Sequence, residues 1–298
     1  IRGLDEPYRS KLWGNLSRSS SHLKDLIVEM YVGGLSTRDI EQSLEKAFGE
    51  FVLSKSSVSE LTKSLEDDYE SFKSRSLSGF DVAYMFIDTV YEPLRRYGCK
   101  TGVCCCWCIL SNGAKVLIDL TTLNSESYES SMDFLRGMVK RGLMAPLSIT
   151  TDGACGLTKA VEAMWPESKR VRCWFHKMQN LRNKVPPELW PKFKVLGQDV
   201  RDAPGFEIAQ ERLNNLVSEY QNDLPEACRC LQEDAQASLN HLHMPYRHRI
   251  HVRTTNLVER TFVEERRRTK VIPHLWTHKS LMQLVFAILM RVSDRWGQ

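Results

Sequence analysis

The chain has 298 residues, of which 42% are hydrophobic and 26% are charged. This composition is typical of a soluble globular protein with one large or about two ordinary domains, and it excludes collagen-like, disordered and membrane-embedded classes. No apolar run approaches the ~20 residues of a membrane-spanning helix. Nine cysteines, four of them within residues 104–108, indicate buried thiols in a reducing compartment, and we expect no membrane partner.

The net charge of +4 is unevenly distributed along the chain. Residues 169–194 hold eight basic and one acidic side chain, and residues 245–270 hold eight basic and three acidic ones. The intervening residues 195–244 are acidic, with three basic against nine acidic side chains. Two basic stretches of this kind indicate a polyanionic partner, most often a nucleic acid, although an ordinary solvated surface can have the same composition.

The N-terminal part of the chain has the pattern of three short helices. Apolar residues recur at helical spacing over 22–33, and capping-box patterns beginning at Ser36 and Ser57 open the second and third helices. We therefore predict a helix-turn-helix-like DNA-binding region over residues 1–78, in which Arg38 on the second helix contacts DNA. Small three-helix units that bind no DNA have the same pattern.

From residue 79 onwards the pattern changes to that of an α/β domain. A continuous apolar run from Val82 to Ile87 predicts a strand that is buried on both faces and ends at Asp88. Four more strands are predicted, over residues 102–110, 115–120, 147–151 and 170–173. Three antiparallel strands followed by parallel strands in α/β crossovers match the ribonuclease-H-like fold, and the chain after Trp174 is predicted to be mostly helical.

Two aspartates follow strands that the ribonuclease-H-like fold places side by side. Asp88 follows the first strand and Asp152 the fourth, so we expect their carboxylates to lie close together. Carboxylates forced together repel unless a cation lies between them, and hard oxygen ligands suit Mg²⁺ or Mn²⁺. Glu259, in the second basic stretch, is the best candidate for a third ligand. Alternatively, the aspartates are turn residues, and Glu259 is the N3 capping partner of Asn256.

A C-x-x-H pattern, Cys173 to His176, follows the last predicted strand. A zinc site would need two more ligands, and the chain offers two pairs of histidines without fixing either nearby: His241 with His243, and His248 with His251. The pattern also fits a structural role at the strand end, or a supporting role beside the carboxylates or DNA. The sequence leaves these three interpretations open.

Several segments, taken in order, resemble the Mutator family of transposases from bacterial insertion sequences. The most specific are the runs Thr151–Leu157, Arg172–His176 and Thr254–Lys270, and the similarity extends over about residues 22–296. Because these runs occur in the family's order and spacing, chance similarity is an unsatisfactory explanation.

The resemblance implies a catalytic triad of two aspartates and a glutamate, which maps onto Asp88, Asp152 and Glu259. It implies that the helical stretch at about 177–250 is an insertion within one catalytic domain, residues 79–298. The expected enzyme is a DNA transposase that binds terminal inverted repeats, cleaves at the element ends and joins the 3′-hydroxyl to target DNA. Two Mg²⁺ ions, replaceable by Mn²⁺, would support this chemistry. Joining two ends requires a homodimer or a larger assembly.

Basic side chains in both basic stretches are expected to neutralise DNA phosphates: Arg172, Lys177, Arg182, Arg253, Arg260, Arg266, Arg267, Arg268 and Lys270. Cys173, His176 and Asn256 are expected to support the triad. The alternatives are a catalytically inactive, transposase-derived DNA-binding protein and a structure-selective nuclease of similar fold. The expected location is the cytoplasm of a bacterium, in association with the nucleoid.

Overall fold

A computed structural model describes residues 21–33, 35, 37–48, 55–94, 99–123, 125, 127–269 and 278–297. The chain falls into two compact units. The helical unit comprises residues 1–74, 94–99 and 263–291, and the sheet unit comprises residues 75–93, 100–262 and 292–298. The predicted domains, 1–78 and 79–298, stay a prediction, because these units are groupings by proximity and not parts shown to fold alone.

The sheet unit is built on a five-stranded mixed sheet in the order β3-β2-β1-β4-β5. The strands are β1 (Val82–Leu94), β2 (Cys99–Leu110), β3 (Lys115–Leu123), β4 (Ser148–Thr151) and β5 (Lys169–Arg172). β2 and β3 are antiparallel, whereas β1 with β4 and β4 with β5 are parallel. The predicted strands are confirmed with one correction: β1 does not end at Asp88 but continues to Leu94.

The centre of the sheet is buried because its strands are continuously apolar. Residues 82–88 of β1 and 101–108 of β2 are all buried. The prediction of buried free cysteines is confirmed for residues 104–106 and 108, and burial raises the pKa of the Cys104, Cys105 and Cys106 thiols. Fully burying one large apolar side chain contributes about 1.5–3 kcal/mol, so this core fixes the positions of the strand ends.

Two helices cover the sheet, and a helical insertion follows it. Helices α4 (Tyr128–Lys140) and α5 (Cys155–Met164) pack together and share the core of the sheet. After β5 come α6 (Trp174–Arg182), α7 (Trp190–Arg201), α8 (Phe206–Tyr220), α9 (Pro225–Gln232), α10 (Ala235–Leu239), a 3-10 turn (Asn240–His243) and α11 (Tyr246–Val252). This insertion has its own apolar core, which includes Phe193 and Leu213, so the predicted helical stretch is confirmed.

The helical unit contains α1 (Ser21–Val32), α2 (Thr37–Phe48) and α3 (Lys55–Ser74), with parts of α12 (Asn256–Thr269) and α13 (His278–Gly297). Ile27, Ile40 and Leu44 join α1 to α2. On α3, Phe72 packs against Phe286 of α13, with ring centroids 5.0 Å apart. The three predicted N-terminal helices are confirmed, although Ser36 and the side chain of Ser57 lie outside the described residues.

Throughout the part of the chain that the structure describes, every helix is too short or too polar to cross a membrane.

Candidate active site

Parallel pairing of β1 with β4 brings the two predicted aspartates to neighbouring positions. The register pairs Ile87 with Thr151. The residues that follow them, Asp88 and Asp152, therefore lie at the same level of the sheet. Asp88 is only 5% exposed because it remains inside β1, whereas Asp152 follows the end of β4 and is half-buried. The structure therefore brings these two side chains together, as the strand pattern predicted.

The surroundings of Asp88 disfavour its negative charge. Burial raises the pKa of Asp88 to about 6, with a further contribution from the charge of Asp152. The pKa is lowered, by less than burial raises it, by His176, the Thr255 hydroxyl and the Thr89 N–H. The Thr89 N–H donates to Asp88 Oδ1 at 2.9 Å. A cation between the two carboxylates would relieve this penalty.

The turn that carries Asp152 is held by a glycine and a buried arginine. Asp152 Oδ1 accepts a hydrogen bond of 2.9 Å from the Ala154 N–H. Gly153 has φ +89°, and a Cβ at this position would lie 2.3 Å from Arg172 Cζ. Arg172 is only 6% exposed, with its Nε 3.8 Å from Asp234 Oδ2. Arg172 thus supports this turn from a buried position, and its contact with DNA stays a prediction.

Glu259 lies in the first turn of α12, and the alternative interpretation, in which it is the N3 capping partner of Asn256, is wrong. The Thr255 carbonyl accepts the first α-helical hydrogen bond, from the Glu259 N–H at 3.0 Å, which makes Thr255 the N-cap. Asn256 is the exposed first residue of the helix, so Glu259 is one position too late to be a reciprocal N3 partner. Instead, the Thr255 hydroxyl donates to Glu259 Oε1 at 3.1 Å.

Cys173 ties the end of β5 to the start of α12. The Cys173 N–H donates to the Thr151 carbonyl at 2.9 Å, which extends the pairing of β4 with β5 by one residue. Its buried sulfur accepts a hydrogen bond from the Thr255 N–H at 3.3 Å and lies 3.4 Å from the Thr255 hydroxyl oxygen. The next residue, Trp174, donates its N–H to the Arg253 carbonyl at 2.9 Å. These bonds fix where α12 begins.

His176 lies close to both ends of the carboxylate cluster. Donor atoms of Cys173, His176 and Glu259 lie within 4.8 Å of one another. Burial lowers the pKa of His176, but Cys173, Asp88 and Glu259 outweigh burial and raise the pKa to about 9. The charges of Asp88 and Glu259 both act on the imidazole of His176, and we call Asp88, Asp152 and Glu259 the carboxylate site. Among the described residues, however, only Cys173, His176 and Glu259 bring three possible ligand atoms this close together.

The zinc interpretation lacks a fourth ligand in the described part of the chain. Both ring nitrogens of His241 are bonded to backbone carbonyls, those of Ser238 and Arg201, at 2.9 Å each. His248 Nδ1 is 2.7 Å from the Tyr84 hydroxyl, and His243 stacks on Phe206. A closed structural zinc site needs four ligands, so the contacts of Cys173 and His176 favour a supporting role beside the carboxylates.

The basic residues predicted to contact DNA fall into three groups. Lys177 is 2% exposed, and its ammonium donates to the carbonyls of Cys230 and Glu233, so it holds α9 and is not presented to DNA. Exposed side chains that keep the prediction are Arg38, Arg182, Arg260, Arg266 and Arg267, with Arg253 half-buried beside Asp202. The side chain of Arg268 and the whole of Lys270 lie outside the described residues.

Comparison with known proteins settles the family. A family model for Mutator-family transposases matches residues 5–298. The chain belongs to the Mutator family of transposases. It is 30% identical over 275 residues to the transposase for insertion sequence element IS6120 of Mycolicibacterium smegmatis, which covers 92% of this chain and 85% of that protein. The resemblance inferred from the sequence is therefore confirmed.

Two further members of the family show the extent of the similarity. The transposase for IS256 in transposon Tn4001 of Staphylococcus aureus is 27% identical over 299 residues, covering 99% of this chain and 76% of that protein. The transposase for IST2 of Acidithiobacillus ferrooxidans is 33% identical over 189 residues, covering 63% of this chain and 64% of that protein. A transposase role for this family member follows from these matches.

Two contributors to the site were missed in the sequence. Thr255 was passed over in favour of Asn256, although threonine is itself a good N-cap residue and stands immediately before the helix. Gly153 follows Asp152 in an Asp-Gly pair, which in the sequence signals only a turn, whereas its missing Cβ makes room for Arg172. Threonine before a helix and glycine after aspartate are both visible in the sequence. Their roles, however, depend on contacts with Arg172 and Cys173 at the end of β5, which no local pattern reveals.

Proposed function

We propose that this Mutator-family protein is an active DNA transposase with a ribonuclease-H-like catalytic core. The observation that carries the proposal is the parallel register that sets Asp88 beside Asp152, with Glu259 close enough to act on the same histidine. The strand order β3-β2-β1-β4-β5 supports the fold assignment, because β1 and β4 are adjacent as that fold requires. The carboxylate site would then cut and join DNA strands.

The donor chemistry of the three carboxylates is the kind that suits a divalent metal ion. Carboxylate oxygens are the ligands that Mg²⁺ and Mn²⁺ prefer, and burial together with Asp152 makes an ionised Asp88 unfavourable without a compensating cation. Asp88, Asp152 and Glu259 would hold the ions. When bound, two Mg²⁺ ions would activate the attacking hydroxyl and stabilise the leaving oxygen of the phosphodiester.

The chain's own residues would keep the three carboxylates in place throughout both reactions. The sheet register fixes Asp88 against Asp152, and the Gly153 turn fixes the direction of the Asp152 side chain. Thr255 and Cys173 hold the first turn of α12, and with it Glu259. One site of this kind would serve cleavage at the element end and then attack by the freed 3′-hydroxyl on target DNA, without a covalent protein–DNA intermediate.

DNA would be held by positive charge outside the carboxylate site. Exposed arginines such as Arg182 and Arg260 would neutralise phosphates, which makes binding sensitive to salt. The N-terminal helices, including Arg38, would recognise the terminal inverted repeat. Because two ends must be joined, the active form would be a dimer or a larger assembly.

The test is cleavage of a labelled duplex that carries the terminal inverted repeat of this chain's own element, compared with a scrambled duplex, in Mg²⁺ and in Mn²⁺. Wild type is expected to cut only the matched end, and Asp88→Asn is expected to bind it in EDTA without cutting it in metal. Matched binding without any cleavage by wild type would indicate the inactive DNA-binding protein. Equal cleavage of both duplexes would indicate a nuclease.

A further inference from the structure

A basic cavity of about 360 Å³ lies in the sheet unit, apart from the three carboxylates. It is formed by the end of α7, the 3-10 turn and α11, and we call it the arginine pocket (Arg201, Asp202, Tyr246, Arg247, Arg249 and Arg253). Its volume is in the range of ordinary small-molecule sites. Of these residues, only Arg253 belongs to the expected DNA contacts.

The arginine pocket is strongly positive. Four arginines line the cavity together with one acidic residue, Asp202, and hydrogen bonds from Arg201 help to lower the pKa of Asp202. Arg253 also pairs with Asp202, whereas Arg249 donates to the backbone carbonyls of Met244 and Pro204, at 3.0 and 2.9 Å, and keeps its full charge. Among the described residues, exposed Arg247 has no hydrogen-bond or ion-pair partner. An anionic ligand would offset this excess of positive charge.

The rim of the arginine pocket also offers an aromatic face. Tyr246 is 81% exposed and Ile250 is 60% exposed, and their i, i+4 spacing places them on one side of α11. The Arg249 guanidinium lies 5.7 Å from the centre of the Tyr246 ring. Exposed aromatic rings beside arginines are the platforms on which bases of single-stranded nucleic acid stack. A phosphate alone would need the arginines but would not use this rim.

The arginine pocket is close along the chain to the carboxylate site. Arg253 is two residues before Thr255, so the Cα atoms of Arg253 and Thr255 are at most about 7.6 Å apart. The Thr255 hydroxyl in turn donates to Glu259. Trp174, next to Cys173, donates to the Arg253 carbonyl. The start of α12, which carries Glu259, is therefore joined to the pocket through Arg253.

We propose that the arginine pocket binds one unpaired nucleotide of the DNA strand being processed, with its base on Tyr246 and its phosphate on Arg247 and neighbouring arginines. A concave site admits a base that has left the stack, whereas in a duplex the faces of each base are covered by the neighbouring base pairs. The inference rests on the proposed function to the extent that DNA is the substrate.

The test measures equilibrium binding of the full chain in EDTA to fluorescent dT12 and to a 12-base-pair duplex of mixed sequence. Tyr246→Ala should weaken dT12 binding about 5- to 150-fold, the range for loss of one stacked base. Duplex binding should change little, and Tyr246→Phe should behave as wild type. Tyr128→Ala, which changes an exposed tyrosine on α4, is the matched control and should also behave as wild type.

A second variant tests the phosphate contact. Arg247→Ala should make the dependence of log K on log salt for dT12 shallower by about 0.7, the value for one phosphate contact on a single strand. Arg136→Ala, an exposed arginine on α4, should leave the slope unchanged. Melting temperatures of all variants should match wild type, since the substituted side chains are exposed.

The outcomes separate this proposal from the proposed function. If wild type cleaves matched ends but Tyr246→Ala keeps full affinity for dT12, the pocket proposal fails alone. Equal losses for dT12 and duplex would also overturn it, because the surface would then bind duplex backbone. If wild type neither binds nor cleaves any DNA, the proposed function itself fails.

Discussion

The carboxylate site and the arginine pocket occupy neighbouring stretches of the same unit and have opposite charge. The first contains Asp88 and Glu259, whose charges act on one histidine, with Asp152 beside Asp88, and the second contains four arginines and Asp202 around one cavity. Three carboxylates alone would repel a DNA strand, whereas arginines alone would hold it without reaction. On the proposed function, the protein separates the two tasks: the carboxylates hold cations and the arginines hold the anionic strand.

The same contrast appears in the pKa values. In the carboxylate site, burial and Asp152 raise the pKa of Asp88 to about 6. In the arginine pocket, burial lowers the pKa of His241 to about 4, and the charges of Arg253 and Arg249 act in the same direction. Burial is the main cause in both regions and disfavours charge of either sign. The smaller contributions differ in sign, negative from Asp152 and positive from Arg253 and Arg249.

The largest effect is expected from Asp152→Asn. The asparagine keeps the side-chain oxygen that accepts from the Ala154 N–H, so the turn should survive while the charge is lost. Cleavage of the matched terminal-repeat duplex in Mg²⁺ should fall at least about 1,000-fold, because ion stabilisation is worth several kcal/mol. Asp133→Asn, on exposed α4, should cleave normally. A loss of less than tenfold for Asp152→Asn would leave Asp152 as a turn residue.

The pH dependence of stability sharpens the comparison at Asp88. Its pKa is higher in the folded chain, about 6, than the ordinary value of 3.8, so the folded state binds the proton more tightly. Asp88 thus contributes up to about 3 kcal/mol to the free energy of unfolding below pH 4, and this contribution is lost as the pH rises through 6. In metal-free buffer, Asp88→Asn should melt above wild type at pH 7.5 and close to it at pH 4. Equal melting temperatures at pH 7.5 would contradict this cause.

A pair of glycines tests the turn beside the carboxylate site. Gly153 and Gly113 both have positive φ, +89° and +87°, but only at Gly153 would a Cβ meet another group, the guanidinium of Arg172. Both alanine variants should lose about 1–2 kcal/mol from backbone strain. Gly153→Ala should lose a further 1–3 kcal/mol or so, typical of overpacking, in denaturant-induced unfolding. Equal losses would show that Arg172 moves aside freely.

The hydrogen bonds around Glu259 should be visible in the metal requirement. Thr255→Val and Cys173→Ala remove the contacts that hold the first turn of α12. Each should raise the Mg²⁺ concentration for half-maximal cleavage by about 10- to 100-fold, as substitutions behind metal ligands do. Cys228→Ala, at another buried cysteine, controls for lost stability and should leave that concentration unchanged. If all three variants needed the same raised Mg²⁺ concentration, the contacts of Thr255 and Cys173 would have only a structural role.

The sequence was most informative where local pattern and global fold agree. The continuous apolar run from Val82 to Ile87 predicted a doubly buried strand, and the order of elements then placed Asp88 beside Asp152. Glu259 was proposed from its place in the second basic stretch, and the family resemblance added support to that proposal. The end of β1 was missed because residues after Asp88 mix polar and apolar types, while pairing within the sheet carries the strand to Leu94.

Other features depend on contacts between distant segments and had no local signal. The sequence suggests that Lys177 is a surface lysine. In the structure its ammonium donates to the carbonyls of Cys230 and Glu233, which are more than fifty residues away. The arginine pocket combines the end of α7 with α11, and a charge count over either segment alone does not reveal a cavity. The sequence showed that the second basic stretch carries positive charge, without showing that some of it lines a concave site.

The most direct test of the account is strand joining by Glu259→Gln. The glutamine keeps an oxygen that can accept from the Thr255 hydroxyl, so the start of α12, the melting temperature and DNA binding should be unchanged. A metal ligand, however, would lose its charge. The measurement is joining of a pre-cut, labelled terminal repeat to plasmid DNA in Mg²⁺. The account predicts loss of joining together with loss of cleavage, since one carboxylate site serves both steps. Near-normal joining by this variant would contradict it.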